Sequence, residues 1–263
     1  MPPKPEPPTP DPRAAIQRAF TRQAESYARS LLATDYSLPA MLELAAPRGD
    51  ELTLDLAAGT GMVSFAFAPR VRRVVAVDLT VAMLAQAAER RAREGGANVD
   101  LLVADVASLP FAAGTFDLAT CRIAIHHFAE PAPILEELRR VLQPGAPAII
   151  CDALAFEDPA RADLHNRIER IRDPSHIRML PEPELRALLA TTGFTIEAAR
   201  HTDKTREFGE WTSLARTPPE AAAEARALML GAIDGDAAGI AARLEDGELR
   251  FTHRSVAFRA VPR

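Results

Sequence analysis

The chain has 263 residues, enough to bury a full core, and 48% hydrophobic with 25% charged residues is the balance of an ordinary globular protein. A formal net charge of −5 argues against nucleic-acid and acidic-membrane partners. No apolar run is long enough to span a bilayer and the N-terminus lacks an apolar signal segment. The two cysteines, Cys121 and Cys151, make neither a C-x-x-C pair nor a disulfide framework, so a cytoplasmic setting is expected.

Residues 1–12 hold seven prolines between charges and read as an extended, disordered tail. Residues 13–48 then read as a helical cap: Ile16, Phe20, Ala24 and Tyr27 recur near helical spacing within 14–33, and a second helix over 38–46 stops at Pro47 and Gly49. A strand–helix alternation follows. Strands are expected at 53–56, 74–77, 100–104, 116–125 and 148–152, with helices at about 62–68, 81–94 and 133–141. Repeated β-α units of this length with right-handed crossovers predict a doubly wound α/β sheet with helices on both faces. Residues 158–172 and 182–191 read as helices around a loop at 174–180. A sixth strand is expected over 194–199 and a seventh within 249–261. The stretch 202–248 between them is long for a connection, and reads as a lid, a substrate wall or an oligomer contact. One domain over 13–263 accounts for these elements.

Leu52-Thr-Leu-Asp-Leu-Ala-Ala-Gly-Thr-Gly61 carries an apolar strand into an acid, Asp55, and then into a small-residue turn at Ala57, Ala58, Gly59 and Gly61. Ligands of open α/β sheets bind at the carboxyl ends of strands. Two more acids fall there: Asp78 suits ribose hydroxyls and Asp105 suits an adenine amine. The pattern describes an adenosine-type ligand. A dinucleotide would need a third glycine, where Ser64 stands, and its pyrophosphate would meet Asp55. A ligand with positive groups and no phosphate suits Asp55 better.

Five segments in order then carry a family resemblance. Asp55-Leu-Ala-Ala-Gly-Thr-Gly61, Asp78-Leu-Thr-Val-Ala-Met-Leu84, Ala104-Asp105-Val106 with Leu109-Pro110-Phe111, Cys121-Arg-Ile-Ala-Ile-His-His-Phe128 and Leu138-Arg-Arg-Val-Leu-Gln-Pro-Gly145 resemble successive motifs of class I S-adenosylmethionine-dependent methyltransferases. The likeness is to the small-molecule branch with the ubiquinone/menaquinone C-methyltransferases, over roughly residues 14–200. Ala57 stands where a glycine is usual. The resemblance implies a Rossmann-like, seven-stranded, mostly parallel sheet with an antiparallel last strand. It implies S-adenosyl-L-methionine as cofactor, held by Tyr27, Asp55, Ala57, Gly59, Gly61, Asp78, Leu79, Met83, Asp105, Val106 and Arg122. It also implies methyl transfer to a small organic molecule, C- or O-methylation ahead of N-methylation, by a monomer or homodimer.

A methyl on a sulfonium is electrophilic, so the protein mainly aligns the reactants, excludes water and, for an acidic acceptor, removes a proton. His126 and His127 at the end of the fourth strand are the candidate bases. Adjacent residues at a strand end do not easily both point into one pocket, so one of them is expected to be packed away. Within Arg172-Asp-Pro-Ser-His-Ile-Arg178, His176 and Arg178 are the candidate substrate contacts, Arg178 as a clamp on a carboxylate or phenolate. No metal-ligand pattern stands out. A catalytically silent cofactor-binding protein and a nucleotide-dependent oxidoreductase are the alternative readings.

Overall fold

The computed structural model describes residues 12–30 and 36–263. The expected tail over 1–12 lies outside the described residues, except Pro12. Five strands alternate with crossovers: β1 (Leu52–Leu56), β2 (Arg73–Asp78), β3 (Val99–Val103), β4 (Leu118–Arg122) and β5 (Ala148–Ala153). Their pairings with one another are all parallel. Then come β6 (Phe194–Glu207), β7 (Arg243–Glu245) and β8 (Glu248–Pro262), with β8 antiparallel to β5, β6 and β7. The order is β3-β2-β1-β4-β5-β8-β6, with β7 also on β8. This is the doubly wound, mostly parallel α/β sheet read from the sequence, with β7 as a short eighth strand. The order reverses between β1 and β4, and ligand crevices form at such a reversal.

Helices α1 (Pro12–Arg29) and α2 (Leu38–Ala45) precede the sheet, and α3 (Met62–Phe67), α4 (Val81–Glu94) and α5 (Pro131–Val141) lie between its parallel strands. Helices α6 (Pro159–Arg172) and α7 (Glu182–Thr191) connect β5 to β6, and α8 (Phe208–Leu214) and α9 (Pro219–Gly231) lie between β6 and β7. Among the described residues no helix is long and apolar enough to cross a membrane.

Strand parity assigns the two cores. Leu54 and Leu56 of β1, Cys121 of β4 and Ile150 of β5 pack with Leu135 and Leu138 of α5 and Leu185 of α7. The alternate positions Leu118 and Ile149 turn to the other face, against Met41 of α2 and Val63 and Phe67 of α3. Every residue of β5 is buried, which explains the apolar run Ala148–Cys151. Parity also sends Asp55 to the α3 face.

The sixth strand runs to Glu207, eight residues past its expected end. Residues 200–207 alternate small, polar and charged side chains and carry no apolar signal. They stay extended because β8 pairs with them as far as Glu207↔Arg250. The connection therefore starts at Phe208. Trp211 of α8 and Met229 of α9 pack with Ile168 of α6 and Phe251 of β8 in a third core, which fixes this segment to α6. The fourth strand is shorter than expected, ending at Arg122 because Ile123 adopts φ 52°.

Candidate active site

The turn after β1 is left-handed at Ala57 (φ 55°), Gly59 (φ 55°) and Gly61 (φ 78°). Gly59 faces open space: a Cβ there would meet nothing within 4 Å. Gly61 has another task, since a Cβ on it would stand 2.7 Å from the Phe65 ring. It lets α3 start tight against its own first turn and does not face the cavity.

Asp55 also departs from expectation. It is 1% exposed, accepts hydrogen bonds from Ser64 Oγ (2.5 Å) and Thr120 Oγ1 (2.8 Å), and lies beneath the turn. Burial raises its pKa to about 6 against the lowering effect of those two hydroxyls. It therefore braces the turn rather than presenting charge to a ligand, and Ser64, the residue in place of a third glycine, serves Asp55.

A cavity of about 560 Å³ opens at the carboxyl ends of β1, β2, β4 and β5, within the range of small-ligand sites. Ile16, Phe20 and Tyr27 of α1 line it from the N-terminal cap. Of the sequence candidates, Tyr27, Ala57, Gly59, Asp78, Leu79, Met83, Asp105, Val106, Arg122, His126, His127 and His176 all line it, and Asp55, Gly61 and Arg178 do not.

Asp78 takes one backbone N–H on each oxygen, from Thr80 (2.7 Å) and Gly59 (2.8 Å), which ties the end of β2 to the turn. Burial raises its pKa, and those hydrogen bonds oppose the rise. Asp105 accepts from the Ala107 N–H (2.9 Å) and pairs with Arg13 of α1 (2.6 Å), so the cap is latched to the cavity rim. Arg122 donates from Nε to Ser37 Oγ (2.7 Å) and lies over the Tyr36 ring.

Both His126 and His127 line the cavity, with ring centroids 4.2 Å apart. The expectation that only one could do so assumed a strand. They sit instead on a 3₁₀ turn, Ile125–His127, where neighbouring side chains are about 120° apart rather than opposed. His126 Nδ1 meets Asp152 Oδ1 at 2.6 Å, and its backbone N–H donates to Oδ2 at 3.1 Å. A proton on Nδ1, toward the carboxylate, leaves Nε2 with its lone pair. Burial works against the imidazolium, but the charge and hydrogen bond of Asp152 outweigh it and raise the His126 pKa. His127 Nδ1 faces the Ser175 carbonyl at 3.0 Å, an acceptor, so its proton also belongs on Nδ1. Burial and the charge on His126 push its pKa down to about 4.

The Arg172–Arg178 loop folds over this turn. The N–H groups of Ile177 and Arg178 both donate to the His126 carbonyl at 3.0 Å. His176 Nε2 bonds to Asn166 Oδ1 (2.8 Å), and burial drops its pKa to about 2, so it is neutral. Arg178 points away: it is half-exposed and forks onto Glu184 at 2.8 and 2.9 Å. It is no clamp within this cavity.

Several lining residues had escaped the sequence reading. Asp152 does not itself line the cavity and reaches it through His126; as an acid at the end of β5, the same kind of position as Asp78, it has a signal in the sequence. Arg172 donates to the Trp211 carbonyl (3.1 Å) and lies over its ring. Arg206, Trp211 and His253 come from the long antiparallel pair and α8, where no local pattern marks a site.

Comparison with known proteins agrees with this geometry. Residues 54–150 match the family model described as a methyltransferase domain. The uncharacterized methyltransferase YcgJ of Bacillus subtilis is 30% identical over 202 residues, 76% of this chain and 80% of its own. A solved methyltransferase candidate of Bacillus halodurans is 32% identical with a TM-score of 0.80, over 85% of this chain and 97% of that one. The ubiquinone/menaquinone biosynthesis C-methyltransferase UbiE of Roseobacter denitrificans is 35% identical over 124 residues, 46% of this chain and half of its own. With YcgJ 30% identical over four fifths of its length, and with the turn, acids and sheet order in place, the chain belongs to the class I S-adenosylmethionine-dependent methyltransferases.

Proposed function

We propose that this enzyme methylates an oxygen or an acidic carbon of a small organic acceptor, with His126 as the base. The observation that carries this reading is that His126, in the cavity wall, is paired with the buried Asp152 behind it.

The β1–β2 corner fits S-adenosylmethionine. Asp78 offers lone pairs to a diol and Asp105 to an amine, Leu79, Met83 and Val106 provide apolar walls, and Gly59 leaves room for close approach. Ala57 and Tyr27 border the same space. Two carboxylates at this corner oppose a pyrophosphate, which disfavours the dinucleotide reading. When bound, the cofactor supplies a methyl group made electrophilic by its sulfonium.

The chain's own residues do the rest. His126 Nε2 takes the acceptor's proton, and Asp152 holds the resulting imidazolium in place. Neutral His127 and His176 surround the acceptor without adding charge. Phe20 stands edge-on to His127 with centroids 4.9 Å apart, and with Trp211 it excludes water from this end. The likeness to UbiE, named a C-methyltransferase, supports carbon as the methylated atom.

Methyl-labelled S-adenosylmethionine offered with hydroxylated aromatics, β-dicarbonyls and amines tests the reading. Label on oxygen or carbon, lost in His126→Gln with S-adenosylhomocysteine affinity kept, supports it. Turnover of amines alone overturns it. Cofactor binding with no turnover of any class favours the silent cofactor-binding alternative.

A further inference from the structure

We propose that His165, Glu169 and His253 form a site for one divalent transition-metal ion in the inner wall of the cavity. His165 and Glu169 lie one turn apart on α6, hence on one face, and β8 brings His253 to them. The ligand atoms of all three lie within 4.8 Å of one another. Glu169 Oε1 is 2.8 Å from His253 Nε2 and 3.8 Å from His165 Nε2. Metal bonds of about 2.0–2.2 Å place ligand atoms roughly 3–4.4 Å apart, so small side-chain rotations complete the set.

Three further observations point to a ligand. All three residues are buried, and His165, 3% exposed, has no hydrogen-bond partner on either ring nitrogen among the described residues. Buried polar groups are ordinarily paired, and a metal bond would satisfy this one. The other oxygen of Glu169 stands 3.5 Å from Arg172 Nη1, and Arg172 is itself held against Trp211. That outer contact leaves one carboxylate oxygen for the metal, as supporting partners of metal ligands commonly do. Finally, Glu169 and His253 line the cavity while His165 lies behind them, so the remaining coordination positions open toward the acceptor space.

Two imidazoles and one carboxylate suit zinc, iron(II) or manganese, and not magnesium or calcium. An ion there would take an oxygen donor of the acceptor as its further ligand. The site is distinct from the β1–β2 corner and from the His126 pair.

The test is a cobalt(II) titration of the metal-stripped full chain, followed by visible absorption. The expected result is one tight equivalent with ligand-field bands, displaced by zinc and not by magnesium. Glu169→Gln, His253→Asn and His165→Asn should each weaken cobalt binding at least tenfold. His201→Gln, at an exposed histidine paired with Glu182, should behave as wild type. Calorimetry with S-adenosylhomocysteine reports that each variant is folded, and His165→Asn serves if Glu169→Gln does not fold. Absence of a one-equivalent cobalt complex in chain that binds S-adenosylhomocysteine overturns the proposal. So does cobalt binding unchanged by the folded variants.

Discussion

His126 Nδ1 lies 2.6 Å from Asp152 Oδ1, so a residue just past β4 is oriented by the carboxylate at the end of β5. Register explains the meeting: Arg122 pairs with Cys151, which sets the end of β4 beside Asp152. The charged groups around His126 are Asp152, Glu169 and Asp173, with His127 and His176 as neutral neighbours.

From this pair follows a pH profile. A base must be neutral to act, and the His126 pKa lies above its ordinary value because Asp152 outweighs burial. Turnover should rise with pH through an apparent pKa above about 6.5. Asp152→Asn should lower kcat by about 10²–10⁴-fold and move that limb to lower pH. A limb unmoved in this variant would exclude the pair as the base.

His127 should titrate apart from its neighbour. Its folded pKa of about 4 lies below the unfolded value, so the unfolded chain binds more protons between about 4 and 6.5. Its contribution to stability is therefore present above that window and lost as pH falls through it. Histidine NMR on the intact chain should show one ring, assigned by His127→Gln, that stays neutral to about pH 4. A midpoint near 6.5 for that ring would contradict the burial argument.

Asp55 has the opposite sign. Its folded pKa of about 6 exceeds the unfolded value, so the folded chain holds the extra proton and stability falls as pH rises from about 4 to 6. The full effect is about 3 kcal/mol. Asp55→Asn removes it, and the hydroxyls of Ser64 and Thr120 can turn to suit the amide. Denaturant unfolding should find the variant gaining about 3 kcal/mol relative to wild type between pH 4 and pH 8. The same difference at both pH values would show an ordinary carboxylate.

One surface-to-cavity contrast separates site from scaffold. Asp78→Ala should weaken S-adenosylhomocysteine binding by about 10–100-fold in calorimetry, because a ligand contact and the tie to Gly59 go together. Arg178→Ala should leave that affinity unchanged and alter stability by less than about 0.5 kcal/mol, because its pair with Glu184 is half-exposed. Comparable losses in both variants would mean that Arg178 reaches the ligand.

The parallel strands are legible as short, mostly apolar runs, and two of the acids that follow them, Asp78 and Asp105, line the cavity. Asp55 is legible as an acid near the end of β1, but its surroundings are not. Alternation along β1 places it on the α3 face, under the turn. His126 and His127 were legible as a pair, but their shared orientation was not, since it depends on a left-handed residue at Ile123 and the 3₁₀ turn after it. The extension of β6 was hidden because its polar residues are extended only through pairing with β8.

By itself, the sequence determined the order of strands and helices, the left-handed turn and the acids at strand ends, because hydrophobic period and glycine placement are local properties. Only the tertiary structure decided which acid lies in the cavity and which beneath the turn, what orients His126, and that α6, α8 and β8 line one cavity with Glu169, Trp211 and His253. Those residues lie up to 84 positions apart, as His253 and Glu169 do. Their meeting is set by strand pairing and by the third core, neither of which any local pattern encodes.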